Sequence, residues 1–276
     1  MVQMGTVWDR TSEFLSDNLA QVTPVALIAF FVPASISGSL RALGPNAPQE
    51  LQLVVELIIL ALALVQLWGS LAIVAMASEG GEVRHAGALA RRRLLPALTV
   101  WLVVLLGILL LCAPVFAMLA ASGAMPAFLA GMQGGSASLT GDPAASINPA
   151  WALPMLLYAI VMVAILLWVA ARLAVVSPVI VHEGKWLRAI PRSFGLTRGY
   201  ALRLIGVLLL YTLIAWVAAL AAQTVFGSIF ALIAGGDGAT LATVLTTIVV
   251  AAVQTGFNLL VPVFTAKLYL ALTAPL

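Results

Sequence analysis

The run LIGVLLLYTLIAWVAALAAQTVFGSIFALIAGG, residues 204–236, contains no Asp, Glu, Lys or Arg. A helix needs about 20 consecutive apolar residues to cross the hydrocarbon of a bilayer. This run exceeds that length, so it reads as a transmembrane helix. Residues 18–40, 94–141, 143–171 and 238–266 are equally free of charge, and 51–78 holds only Glu56. The expectation is an all-α integral membrane protein with six spans, near 22–41, 51–77, 95–121, 151–177, 203–232 and 241–270. A membrane β-barrel would show alternating segments of about ten residues instead, and none is present.

Composition agrees. Of the 276 residues, 63% are hydrophobic and 8% charged. A soluble domain carries roughly 25% charged residues to keep its surface wet. The mean hydropathy is +1.14. The chain is therefore read as a single membrane domain, 1–276. The net charge of +3 resides in short segments between apolar runs. That placement sets membrane orientation and argues against a nucleic-acid partner.

Residues 6–20 (TVWDRTSEFLSDNLA) interleave Val7, Trp8, Phe14, Leu15 and Leu19 with charges at helical spacing. This reads as an amphipathic helix on the membrane surface, with Thr11, Ser12 or Thr6 as N-cap. No basic n-region leads directly into a short apolar core, so no cleaved signal peptide is expected.

The segments 79–93 and 182–203 hold most of the basic residues: Arg84, Arg91, Arg92 and Arg93 in one, Lys185, Arg188, Arg192, Arg198 and Arg203 in the other. The segments 42–50, 122–150 and 233–240 hold no Lys or Arg. Lys and Arg are retained on the cytoplasmic side. Both termini are then expected in the cytoplasm. The segment 122–150 is Gly- and Pro-rich and reads as a long outer loop with room for one short turn at 127–132. Gly235 to Gly238 reads as a tight turn.

Leu71-Ala72-Ile73-Val74 followed by Glu79-Gly80 echoes Leu173-Ala174-Val175-Val176 followed by Glu183-Gly184. A weaker echo pairs Ala266-Lys267-Leu268 with Ala171-Arg172-Leu173. Three hairpin-like repeats about an axis along the membrane normal would produce this pattern.

The most specific text follows the fourth span. Pro178, Val181, Glu183 and Gly184 precede Ala189, Arg192-Ser193-Phe194 and Leu196-Thr197-Arg198-Gly199. This resembles the glycerophosphoryl diester phosphodiesterase membrane domain family and the related YciC-like bacterial inner-membrane proteins. The six-span layout is similar too. The resemblance implies a multi-pass protein of the bacterial inner membrane. The catalytic barrel fused to this domain in some proteins needs about 250 residues and an acidic cluster, and neither is present here. Pro191 and Gly195 depart from the family pattern and argue against a continuous surface helix at this point.

Trp186, Ile190 and Phe194 are four apart, with Arg188 and Arg192 on another face. That pattern suits the headgroup boundary, so Arg192, Arg198 and Arg188 are candidate headgroup or anion-binding residues. The bland alternative is orientation by positive charge alone. Arg172, Lys267 and Glu56 lie within apolar runs and are candidates for an intramembrane polar site. Arg172 and Lys267 also lie near the inner ends of their spans, where each side chain can snorkel to water. Gln66, Gln223, Gln254 and Asn258 add neutral polar groups, which in spans often serve helix-to-helix hydrogen bonding.

No cofactor or metal site is expected. His85 and His182 stand apart in connecting segments, and Cys112 is the one cysteine. No phosphate loop, His-Glu-x-x-His or nucleophile elbow occurs. The expected function is non-enzymatic: a lipid- or envelope-related binding, scaffold or accessory subunit, with membrane lipids and a membrane protein as partners. A small transporter or flippase is the main alternative, and a membrane-embedded lipid enzyme the third.

Overall fold

The structure, a computed structural model, describes residues 3–43, 48–79, 83–125, 128, 149–235 and 239–274. Every regular element among them is helical. These are α1 (Met4–Ala26), a π-helical segment (Leu27–Phe31), α2 (Val32–Leu43), α3 (Gln49–Glu79), α4 (Val83–Ser122), α5 (Pro149–Leu173), α6 (Val176–Glu183), α7 (Ala189–Leu196), α8 (Ala201–Ala234) and α9 (Ala239–Thr273). Among the described residues, six helical stretches are long and apolar enough to cross a membrane: Met4–Arg41, Glu50–Ser78, Val83–Ser122, Ala150–Glu183, Ala201–Ala234 and Thr240–Thr273. The chain is an all-α, multi-pass membrane protein. The interior of the loop 122–150 and the Gly236–Gly238 part of the last turn lie outside the described residues.

The first span departs from the expected layout at its N-terminal end. Residues 6–20 are helical, but they form the first turns of a helix continuous with the span. The helix starts at Met4 after Gln3, which makes no side-chain cap. The three candidate N-caps are all inside it. The Thr11 hydroxyl donates to the carbonyl of Val7 at 2.8 Å, and that of Ser12 to Asp9 at 2.8 Å. Once the helix begins upstream, a hydroxyl finds the preceding turn's carbonyl as its nearest acceptor.

Pro24 and Pro33 bracket the π-helical segment. Each lacks the N–H that would close an α-helical turn. Between them the ladder slips by one residue, and the Val32 N–H bonds to the Leu27 carbonyl. The slip brings Ala29 against Gly69 of α3. A Cβ on Gly69 would collide with the Ala29 side chain. The two backbones therefore approach as closely as small residues permit.

Two compact units are present, Met1–Val100 with Ala171–Leu276, and Trp101–Ala170. In the first, α9 packs against α8, α2, α3, α1 and α6. Its core lies at the end carrying the basic segments. Leu71 to Ala77 of α3 are buried without interruption, as are Val179 to Val181 of α6 and Val263, Ala266 and Leu268 of α9. The echoing stretches contribute to this same core through Leu71 to Val74, Val175 with Val176, and Ala266 with Leu268. Toward the other end, Leu51, Leu53, Val54 and Leu57 of α3 and Leu209 to Ile233 of α8 present exposed large side chains. Such faces suit lipid contact.

In the second unit, the Tyr158 hydroxyl donates to the Leu111 carbonyl at 2.6 Å. Cys112 lies 3.9 Å from the Met162 sulfur. Leu105, Leu106, Leu109, Leu110, Leu156 and Leu157 point outward.

Candidate functional site

The site begins with a helix break. α5 ends at Leu173, and α6 begins at Val176 after a two-residue turn. Such a break frees carbonyls that must find other donors away from water. The Arg172 carbonyl accepts the Ser193 hydroxyl at 2.6 Å and the Thr197 hydroxyl at 3.5 Å. The Thr197 hydroxyl also bonds the Ser193 carbonyl at 2.8 Å. In return, Arg172 Nη1 donates to the Phe194 carbonyl at 3.2 Å. The half-buried Arg172 thus bonds to α7 through both its main chain and its side chain.

The segment 185–198 docks on a face that its apolar spacing did not advertise. Ala189, Ser193 and Thr197, four apart, are fully buried. Small side chains let α7 approach the core closely. Trp186 is 54% exposed and Leu187 51% exposed, while Ile190 is half-buried against the core. α7 is continuous across Pro191 and Gly195, contrary to the sequence expectation. Pro191 falls in the first turn, where its missing N–H costs little. Gly195 falls in the last turn, where fraying is mild.

Glu183 ends α6 and gathers the neighbouring charges. Arg192 Nε donates to its Oε1 at 3.1 Å, Lys185 pairs with Oε2, and the Tyr269 hydroxyl donates to Oε1 at 3.2 Å. The Tyr269 ring stacks on His182, with centroids 5.2 Å apart. Gly184 then takes the left-handed conformation, φ +62°, and its N–H closes on the Ile180 carbonyl. Against Gly184 lies the Arg93 guanidinium, whose Cζ is 2.8 Å from where a Cβ would stand. The two halves of the motif quoted above are therefore joined through Glu183 with Arg192, and the second half is tied to the end of α5 through Arg172 with Ser193 and Thr197.

Of the candidate headgroup residues, Arg188 and Arg198 are exposed, and Arg192 is engaged with Glu183. The three intramembrane candidates stand in different surroundings. Arg172 is held by α7. Lys267 lies over the Phe14 ring, 4.7 Å from its centroid. Glu56 is exposed on α3, among exposed leucines. Tyr269 was not singled out in the sequence, while Ser193, Thr197 and Gly184 stood there only as motif text and Arg93 only as one of several basic residues. The signal for two of them was present: Ala189, Ser193 and Thr197 form a small-residue stripe with helical spacing.

A groove of about 500 Å³ lies between α8 and α9, lined by Gln223, Thr243, Thr246 and Thr247 among others. The Thr246 and Thr247 hydroxyls bond carbonyls of their own helix, at 2.7 and 2.8 Å. Among the described residues, no three His, Cys, Asp or Glu side chains group as metal ligands. The chain matches no family model, no curated protein and no solved structure.

Proposed function

We propose that this chain is a non-enzymatic multi-pass protein of the bacterial inner membrane, a binding, scaffold or accessory subunit whose basic face engages anionic lipid. Both termini and the basic segments face the cytoplasm in this reading. It keeps the resemblance to the glycerophosphoryl diester phosphodiesterase membrane domain family, without catalysis. The observation that carries it is the exposed pair Trp186 and Leu187 between Lys185 and Arg188, on a segment whose opposite face is fixed to the core. Trp favours the membrane interface. Each Lys or Arg near an anionic leaflet contributes about 1 kcal/mol. Arg188 and Arg198 are exposed and can do so, whereas Arg192 is paired with Glu183 through its Nε.

The test is lipid retention. Full-length protein is reconstituted with phosphatidylglycerol and phosphatidylcholine, re-extracted, and its bound lipid quantified. Wild type should retain phosphatidylglycerol preferentially, and Arg188→Glu with Arg198→Glu should lose the preference several-fold. An unchanged preference sinks the reading. A cysteine placed at Ser12 or at Arg188 in a Cys112→Ser background should label from the same membrane side.

A small transporter or flippase is the second reading. It is supported by the groove between α8 and α9, which holds Gln223 and three threonines in a mainly apolar lining, and by two interrupted spans, at Leu27–Phe31 and at residues 174–175. Proteoliposomes holding fluorescent phosphatidylglycerol would show protein-dependent flipping, abolished by Gln223→Leu with Thr246→Val. Flipping no faster than in empty liposomes rejects it.

A further inference from the structure

We infer that Arg93 is the centre of a discrete phosphate-binding site, completed by Arg192 and Lys185. The inference rests on the reading of this end as a lipid-headgroup face, but it places a specific site at a residue which that reading does not use.

The three arginines Arg91, Arg92 and Arg93 look equivalent in sequence, and the fold separates them. Arg91 and Arg92 are exposed. Arg93 is half-buried, and its Nε is wholly buried with no hydrogen-bond partner. Among the described residues its guanidinium has no ion pair, although it is pressed against the chain at Gly184. A guanidinium withdrawn from water without a counter-charge is costly, and the natural relief is an anion.

Glu183, the carboxylate adjoining Gly184, is already committed. Two cations and the Tyr269 hydroxyl occupy its oxygens. Around it stand Arg93, Lys185 and Arg192 against one acid, which leaves a local excess of positive charge. His182, on the same turn, stacks on Tyr269. Arg192 uses Nε on Glu183, so its terminal nitrogens remain for a second acceptor. Planar forks of N–H donors match the oxygens of a phosphate two at a time, which a carboxylate-poor cluster of arginines favours. The absence of a side chain at Gly184 is what lets the guanidinium lie there at all.

The ligand class is therefore a phosphate group, supplied by an anionic phospholipid headgroup or by a free phosphate compound. Full-length protein in neutral detergent at about 150 mM salt is titrated with dioctanoyl phosphatidic acid and, separately, with inorganic phosphate. Arg93→Gln should weaken phosphatidic acid binding about tenfold or more, whereas Arg188→Gln with Arg198→Gln should change it little. If Arg93→Gln does not fold, Arg93→Lys carries the test. The ammonium keeps the charge and lacks the fork, so affinity equal to wild type overturns the site. Binding of phosphatidic acid alone assigns the source to lipid, and binding of both probes assigns it to phosphate in general. If neither probe binds wild type, the site does not exist. Loss of phosphatidylglycerol preference in the Arg188 and Arg198 variant, with Arg93→Gln still binding phosphatidic acid normally, rejects this inference and leaves the lipid-face reading standing. The converse pattern rejects that reading alone.

Discussion

The Ser193 hydroxyl donates to the Arg172 carbonyl at 2.6 Å, so a side chain of the connecting segment closes a helix end in the fourth span. Ser193 belongs to the segment richest in motif text, and Arg172 lies just ahead of it. The bond explains why a hydroxyl stands there. The Arg172 carbonyl stands at the end of α5, and Ser193 is fully buried. Ser193→Ala should lower stability by about 0.5–1.5 kcal/mol, the net worth of one hydrogen bond, because the Thr197 hydroxyl at 3.5 Å still reaches the same carbonyl. Thermal unfolding in detergent reads this directly. A neutral Ser193→Ala would mean that the Thr197 hydroxyl alone satisfies this carbonyl.

Gly69 and Ala29 offer a sharper packing test. Gly69→Ala places a methyl group onto a side chain fixed to its own backbone. Overpacking of this kind costs about 1–3 kcal/mol. Ala29→Gly in the same chain should restore much of the loss. If the double variant is no better than Gly69→Ala alone, the close approach is not where the strain lies.

Glu183 and Arg192 form a pair in which Arg192 is 46% exposed and Glu183 is 17% exposed. Exposed pairs contribute about 0.2–1 kcal/mol. A double-mutant cycle with Glu183→Gln and Arg192→Gln should give a coupling in that range. It should fall as salt is raised, because exposed charges are screened. A coupling of zero at low salt would leave the pair without a stabilising role.

Lys267 is a candidate for an intramembrane polar site, and it lies over an aromatic ring, that of Phe14. Phe14→Leu should cost about 0.5–2 kcal/mol beyond lost packing while Lys267 is present. It should cost only the packing loss in a Lys267→Met background. Equal costs in both backgrounds would rule out the cation–ring contact.

The spans were legible because lipid imposes a simple rule: long runs without charge. Six helices long and apolar enough to cross a membrane stand among the described residues, and three of them run on past the charge-free runs, to Met4, Val83 and Glu183. The same rule led to the N-terminal segment being read as a separate element, since charges at Asp9, Arg10, Glu13 and Asp17 break the apolar run but do not break the helix. The candidate site was legible only in part. Arginines and lysines announce an electropositive face by composition. Which of them face outward depends on what they meet in space. Arg192 meets Glu183, nine residues away, Arg93 meets Gly184 across two spans, and Arg172 meets Phe194. Contacts at such separations leave no periodic trace. Apolar spacing pointed to Trp186, Ile190 and Phe194 as the organising face of the segment 185–198, but packing at close range selected Ala189, Ser193 and Thr197.

The π-helical slip at Leu27–Phe31 also sets the rotational phase of everything before it. One residue more or less turns a helix by about 100°. Deleting a single residue between Pro24 and Pro33 would leave the composition of the span almost untouched, yet it would swing Val7, Thr11 and Phe14 away from the neighbours they now face. The amphipathic N-terminal turns therefore depend for their azimuth on an irregularity several turns downstream, where the side chains themselves carry no charge at all.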